Sequence, residues 1–124
     1  MASQKSIEPV VLHLSERLDS QTGNQLHQQV LQNCPERVRL FAIDMNDVSF
    51  ADSSGLFALV GTLRTARDRG SRLILFNLKA SVRVIFEISQ LDLVFEIFDS
   101  YEAMVDFLHS EGILLKAKRD LIAA

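Results

Sequence analysis

Two patterns of apolar residues alternate along the chain and predict strands followed by helices. Short, nearly continuous apolar runs predict strands, and they occur at 10–14, 38–43, 72–78 and 94–98. Between them apolar residues recur at the spacing of one helical face, in the segments Leu26 to Leu31, Leu56 to Leu63, Val82 to Phe86 and Tyr101 to Leu108. This alternation predicts an α/β layered fold whose strand connections run through helices.

Capping and helix-ending residues mark several of the predicted helix boundaries. Thr22 is predicted to cap the first helix, which Pro35 closes, and Ser100 is predicted to cap the last one. Gly70 is expected to end the second helix, after two arginines that suit the negative end of the helix dipole. The first, second and last helices therefore have predicted boundaries.

The last segment of the chain is the least regular. Its apolar residues, Ile113 to Leu115 and Leu121 to Ile122, are compatible with an amphipathic helix. We expect this tail either to extend the domain as a packed helix or to fray, and we assign it no function. The 124 residues are expected to form one domain, 1–124, with a core from about 8 to 110 and a tail at 111–124.

Composition and charge narrow the class of protein. The single cysteine, Cys34, cannot form a disulfide within the chain, and no spaced ligands predict a metal site. Residues 1–8 are polar, and the chain has no long apolar run. We therefore expect that it is neither exported nor inserted into a membrane. A net charge of −3 provides no basic surface for nucleic acid. We therefore expect a cytoplasmic protein that binds neither metal nor nucleic acid.

The segment Asp52-Ser53-Ser54-Gly55 carries the most information about function. It lies between a buried strand that ends in Asp44 and the second helix. Asp52 or Ser53 is expected to accept hydrogen bonds from first-turn amides, which Ser54 and Gly55 leave sterically open. We expect a serine hydroxyl at this position to be exposed, at a helix end whose dipole favours a phosphate. The segment is either a simple helix cap or a cap that also presents a phosphorylation site.

In this setting of strand, loop and helix, the motif resembles that of the STAS family, the domain shared by sulfate transporters and anti-sigma factor antagonists. The resemblance runs from about Val10 to Leu108. It includes Leu18-Asp19 and Thr22 before the first helix, Arg67 to Gly70 before the third strand, and Val82 to Leu91. It implies a bacterial protein with the STAS fold, a mixed central sheet of about four to five strands packed with about four to five helices.

The antagonist branch of this family implies a role for each residue of the motif. The serine after the aspartate, Ser53 in this chain, is phosphorylated by an anti-sigma factor that is also a serine kinase. Unphosphorylated antagonist binds that kinase and frees a sigma factor for transcription, and a phosphatase resets the switch. Asp52 and Asp19 match acidic positions beside the phosphoacceptor, and Ser54 and Gly55 are its neighbours. ATP belongs to the partner, so the resemblance implies no cofactor in this chain.

The chain departs from the usual family pattern at several positions. Phe57 and Val84 stand where the family has a small and a basic residue, and with Ile88 they are predicted to form a partner-binding surface between the second and third helices. The alternative for Phe57 is packing at the edge of the core. Gln90 replaces a helix-ending glycine, which implies either a left-handed residue or a different helix exit. Glu16 replaces a glycine in the first loop, whose shape is expected to differ.

Catalysis is the competing class of function. Neither Ser53 nor Ser54 has the Gly-x-Ser-x-Gly surroundings of a hydrolase nucleophile, and the histidines, His13, His27 and His109, lie far from the motif in sequence. We therefore expect no enzyme and no catalytic residues. A further alternative is an interaction module of a signalling or transport-regulating assembly whose output is not a sigma factor. The sequence leaves this alternative and the question of self-association open.

Overall fold

Helices and strands alternate along the residues described by the computed structural model, 5–34 and 38–123. The helices are α1 (Ser20–Asn33), α2 (Ser53–Asp68), α3 (Ala80–Ile88) and α4 (Tyr101–Ser110), and a 3-10 helix covers Leu91–Leu93. The strands are β1 (Lys5–Ile7), β2 (Val10–His13), β3 (Arg17–Leu18), β4 (Leu40–Asp44), β5 (Phe50–Ala51), β6 (Arg72–Phe76), β7 (Glu96–Phe98), β8 (Ile113–Leu115) and β9 (Arg119–Ile122). The predicted α/β layered fold is confirmed.

Five strands form the central sheet, in the order β7, β6, β4, β2, β9. The expected strand number is confirmed, but the expected mixed sheet is wrong, because every pairing in this sheet is parallel. A helix lies between successive strands of this sheet from β2 to β7, and such crossovers return the chain to the same end of the sheet. Helix α4 likewise returns the chain, before β9, to the end of the sheet where the strands begin. Glu111, just beyond α4, reaches Arg72 at the start of β6, and Glu111 Oε1 lies 2.9 Å from Arg72 Nη1.

Apolar side chains cover both faces of this sheet. On one face, β2 and β4 contribute Leu12 and Ile43 to a core that includes Leu26 of α1 and Leu59 of α2. On the other face, alternate residues of the same strands and of β6 pack against α4. Because successive strand residues point to opposite faces, a strand covered on both sides must be apolar throughout. This explains the continuous apolar runs in the sequence.

The C-terminal segment adds two strands, so the expectation of a helix or a frayed end is wrong. Gly112 ends the preceding helical segment with a φ of +83°, and β8 then pairs in parallel with β1, with Lys5 opposite Ile113. β9 pairs with the free edge of β2, with Val10 opposite Arg119. The apolar residues of the tail therefore complete sheets formed with distant segments, which local helical spacing does not reveal.

A polar cluster also holds β9 at the carboxyl end of the sheet. His13 Nδ1 lies 3.0 Å from Asp44 Oδ2, and His13 Nε2 lies 2.8 Å from Asp120 Oδ1. Through its two ring nitrogens His13 contacts both carboxylates and so joins β2 to its two neighbours, β4 and β9. The hydrogen bond from His13 lowers the pKa of Asp120 below its ordinary value. His13 therefore has a structural role at the edge of the core.

Several predicted boundaries are confirmed and others move. The Ser100 hydroxyl oxygen accepts from the Ala103 amide at 3.0 Å, so Ser100 caps α4 as predicted. Gln90 has a φ of +60°, which confirms the left-handed alternative. The third predicted strand ends at Phe76 instead of 78, because Asn77 is also left-handed. Pro35, predicted to close α1, lies outside the described residues.

Candidate functional site

Asp52 caps helix α2. Its backbone is extended, and its Oδ1 atom accepts a hydrogen bond from the Gly55 amide at 2.8 Å. The sequence left open whether Asp52 or Ser53 would fill this role, and the structure assigns it to Asp52. Because the aspartate provides the cap, the side chain of Ser53 is not needed to hold the helix start.

Ser53 and Ser54 occupy the first two positions of α2 and are exposed. Together with Phe57 they line a shallow surface depression. Within the described part of the chain neither hydroxyl has a hydrogen-bond partner. The amides of these two residues have no intrahelical acceptor, as is general for the first turn of a helix. Both serines are thus accessible at a helix end that favours negative charge.

Asp19 lies beside this site because β3 and β5 pair in parallel. Leu18 stands opposite Ala51 in that pair, so the next residue of each strand is a helix-capping aspartate, Asp19 for α1 and Asp52 for α2. The Asp52 amide also donates to the Leu18 carbonyl at 3.1 Å. The structure therefore places Asp19 beside the segment Asp52-Ser53.

The prediction that Thr22 caps α1 is wrong. Asp19 is the cap, and Thr22 is its reciprocal partner: the Thr22 amide donates to Asp19 Oδ1 at 3.1 Å, and the Asp19 amide donates to Thr22 Oγ1 at 3.0 Å. Such a capping box satisfies two amides that the helix itself leaves without partners. The hydrogen bond from the Thr22 amide holds the pKa of Asp19 below its ordinary value.

The lowered pKa of Asp19 gives a pH prediction. The charged carboxylate stabilises the fold at pH values above its unfolded pKa, near 3.9, and this contribution is lost as the pH falls through the lower, folded pKa. Asp19→Asn keeps a capping oxygen but has no charge to lose. We expect the difference in melting temperature between wild type and this variant to be largest near pH 7 and to shrink below about pH 4. A difference that stays constant across thermal melts at those pH values contradicts the assignment.

Gly55 is buried because the start of α2 lies directly against the backbone of β3. A Cβ atom at this position would lie 2.1 Å from the Leu18 carbonyl oxygen and 2.8 Å from the Asp19 amide nitrogen. The sequence assigned Gly55 the role of leaving the first-turn amides open. Its larger role in the structure is to let two backbones approach, which brings the caps of α1 and α2 side by side.

The three residues predicted to bind a partner are exposed. The exposed fractions are 82% for Phe57, 51% for Val84 and 79% for Ile88. The alternative that Phe57 packs at the edge of the core is therefore wrong. Helix α3 packs against β5, the strand that leads into α2. The apolar side chains of α3 and the first turns of α2 thus belong to neighbouring elements.

Sequence reasoning missed further exposed apolar residues that follow α3. Leu93 and Val94 lie at the 3-10 turn that begins after the left-handed Gln90, and both are exposed. Phe50, just before the motif, is also exposed, and the Arg17 guanidinium carbon lies 4.0 Å from the centre of its ring. Val94 was predicted to begin the last strand, at 94–98, but that strand begins at Glu96.

Within the described residues, no histidine hydrogen-bonds either exposed serine. His27 Nε2 lies 2.8 Å from Thr65 Oγ1, in the second half of α2, and His109 is exposed on α4. Across 5–34 and 38–123 there is no group of three or more His, Cys, Asp or Glu side chains that suits a metal ion. None of the helices in these ranges combines the length and the apolar character needed to span a bilayer.

Known proteins resemble the chain in sequence and in fold. The family model of the STAS domain matches residues 1–104. An anti-sigma-B factor antagonist of Listeria monocytogenes is 42% identical over 55 residues, which are 44% of this chain and 48% of the relative. The chain thus matches about half the length of that curated relative.

Solved structures share the fold of this chain. The anti-sigma factor antagonist SpoIIAA in its unphosphorylated form has a TM-score of 0.61 and 24% identity, covering 91% of this chain and 96% of that one. The phosphorylated form of SpoIIAA, a Bacillus cell-fate determinant, gives 0.60 and 25%, covering 87% and 95%. A sulfate transporter family protein of Wolinella succinogenes gives 0.73 at 16% identity, covering 82% and 85%, which shows the shared fold. The chain therefore belongs to the STAS domain family.

Proposed function

We propose that this chain is an anti-sigma factor antagonist that works by partner switching. In its unphosphorylated form it binds an anti-sigma factor that is also a serine kinase, and phosphorylation of Ser53 releases it until a phosphatase removes the phosphate. The observation that carries the proposal is the exposed Ser53, whose hydroxyl is unengaged directly after the Asp52 cap. The Listeria relative named as an antagonist and the phosphorylated form of SpoIIAA support it.

The local geometry favours Ser53 over other hydroxyl groups as the phosphoacceptor. Thr62, further along α2, is fully buried and donates to the Ala58 carbonyl at 2.8 Å, so a kinase cannot reach it without opening the helix. Ser54 is exposed, but Ser53 is the residue that directly follows the aspartate. A phosphate on Ser53 can accept from the free amides at the helix start.

Phosphorylation at this position changes the charge while the fold persists. The product adds about 1.5 to 2 negative charges next to Asp52 and near Asp19. The Asp52 carboxylate remains bonded to the Gly55 amide, so the helix keeps its cap. A kinase site that accepts a neutral hydroxyl then meets a concentrated negative charge, and the complex separates.

The partner-binding surface in this proposal consists of Phe57, Val84 and Ile88. Exposed aromatic and aliphatic side chains at an interface commonly carry most of its binding energy. We expect the triple variant Phe57→Gln, Val84→Gln, Ile88→Gln to bind the kinase at least about 30-fold more weakly. Its melting temperature is expected to stay near that of wild type, because glutamine is a good helix former.

The matched control for this variant is Ile122→Gln, which removes an apolar side chain of β9 that is 77% exposed. It is expected to bind like wild type. Binding is measured by calorimetry with the purified partner, and stability is measured by thermal melting. A large loss of stability in the triple variant would assign the three residues to the core, and equal binding by the triple variant and the control would reject the surface.

In this proposal the chain is a binding protein and not an enzyme, it acts in the cytoplasm, and the ATP is held by the partner. The test is to recover bound proteins from native lysate, with unphosphorylated wild type as bait and Ser53→Asp as the matched control. We expect a serine kinase on the wild-type bait alone, and we expect that kinase to bind a sigma factor when the antagonist is absent. Recovery of a signalling or transport assembly without such a kinase would replace this function with the alternative of a general interaction module.

A further inference from the structure

A cleft lies at the end of the central sheet where the strands begin, which is opposite to the end near Ser53. It has a volume of about 320 Å³ and opens where β4 and β6 begin, between the end of α2 and the pair formed by β1 and β8. We call it the amino-edge cleft. Its apolar lining residues are Ile7, Leu40, Leu73, Leu108 and Ile113. Pockets of a few hundred Å³ with an apolar lining and a few polar groups are the usual form of small-molecule sites.

The rim of the amino-edge cleft is strongly positive. Lys5, Arg39, Arg67 and Arg72 line it, whereas Glu96 is the one carboxylate among the described lining residues. Arg72 is satisfied, since its side chain bonds Glu96 at 2.6 and 2.7 Å. The other three cations have no ion-pair partner within the described ranges.

This charge is unusual for the molecule. The chain as a whole has a net charge of −3, yet three unpaired cations from β1, the start of β4 and the end of α2 meet around one cavity whose lining is partly apolar. The positive charge of Arg67 also suits the carboxyl end of a helix, but that effect does not account for Lys5 and Arg39. The combination is complementary to a ligand with an apolar body and an anionic head.

We propose that the amino-edge cleft binds a small aliphatic carboxylate. The hydrocarbon chain packs on the apolar floor, and the carboxylate is held by Arg39, Arg67 and Lys5. Arginine is well suited to this role because its planar group can donate two parallel hydrogen bonds to a carboxylate. This site lies apart from the phosphoacceptor segment, so it goes beyond the proposed partner switch and can fail or succeed independently of it.

The test uses octanoate as the probe and two comparison molecules, the neutral isostere octanamide and the short anion acetate. In a methyl NMR titration, octanoate is expected to shift the signals of Ile7, Leu73 and Leu108 while the exposed Ile88 stays unchanged. Octanamide and acetate are each expected to bind at least about tenfold more weakly. Octanamide lacks the negative charge, and acetate lacks the hydrocarbon chain.

Variants identify the residues that hold the head group. Arg39→Gln and Arg67→Gln are each expected to weaken octanoate binding about tenfold with at most a small change in the melting temperature. Arg64→Gln is the matched control, since Arg64 is exposed on the same helix as Arg67 and does not line the cleft. The proposal is overturned if millimolar octanoate shifts none of the cleft methyl groups, if octanamide binds equally well, or if both cleft variants bind like Arg64→Gln.

Discussion

Ser53→Asp is expected to weaken binding of the serine-kinase partner by tens to thousands of times, while the domain melts at the temperature of wild type. The loss corresponds to about 2 to 5 kcal/mol, the typical cost when a charged contact at an interface is made unfavourable. The new carboxylate sits beside Asp52 at the surface of the helix start. Stability is unaffected because the Gly55 amide keeps its bond to Asp52, which makes the aspartate cap independent of residue 53.

Two variants separate the charge effect from simple loss of the hydroxyl group. Ser53→Ala is expected to bind the partner constitutively, since it cannot be phosphorylated and adds no charge. Ser54→Ala is expected to bind like wild type and still to accept phosphate. If Ser53→Asp binds as tightly as wild type in calorimetry, the release mechanism is rejected. If it binds weakly but also melts well below wild type, the loss of binding reflects unfolding instead of charge.

Gly55→Ala is expected to destabilise the domain by about 3 kcal/mol or more, a large effect for the addition of one methyl group. The added Cβ atom would overlap the Leu18 carbonyl oxygen at 2.1 Å and the Asp19 amide nitrogen at 2.8 Å. Both atoms belong to the backbone, so no side-chain rotation relieves the overlap. The start of α2 must move away from β3, which separates the two helix caps and displaces Ser53.

Gly61→Ala is the matched control on the same helix. At that position the nearest atom to the new Cβ is His27 Cε1, at 3.9 Å, an ordinary contact. Alanine is also the better helix former, so Gly61→Ala is expected to be neutral or to stabilise the domain by roughly 0.5 to 1 kcal/mol. Urea unfolding measures both variants. Equal stabilities for the two would show that the close approach of α2 to β3 does not constrain the fold.

Local patterns predicted the helices that build the site. The apolar spacing identified α1 to α4, and the aspartate, two serines and glycine identified the start of α2. These signals act over a few residues, so they are visible in the sequence. The pattern did not decide which side chain caps α2, because both Asp52 and Ser53 are good capping residues. Only the observed bond to the Gly55 amide makes that choice.

Features that depend on distant segments were not predictable in the same way. The apolar residues of β9 resemble a helical face locally, and they become a strand because the edge of β2 is available to pair with them. The two-residue strands β3 and β5 are too short to have an apolar period, yet their pairing places Asp19 beside Asp52. The exposure of Phe57 likewise depends on which face of α2 packs on the sheet.

The most direct test of the proposed switch is to map the phosphorylated residue. The purified chain is incubated with ATP and the serine kinase that it captures, and the phosphopeptides are then sequenced. We predict that the phosphate is on Ser53, and that the Ser53→Ala variant accepts none. Phosphate on Ser54 or Thr62, with Ser53 unmodified, would contradict the account.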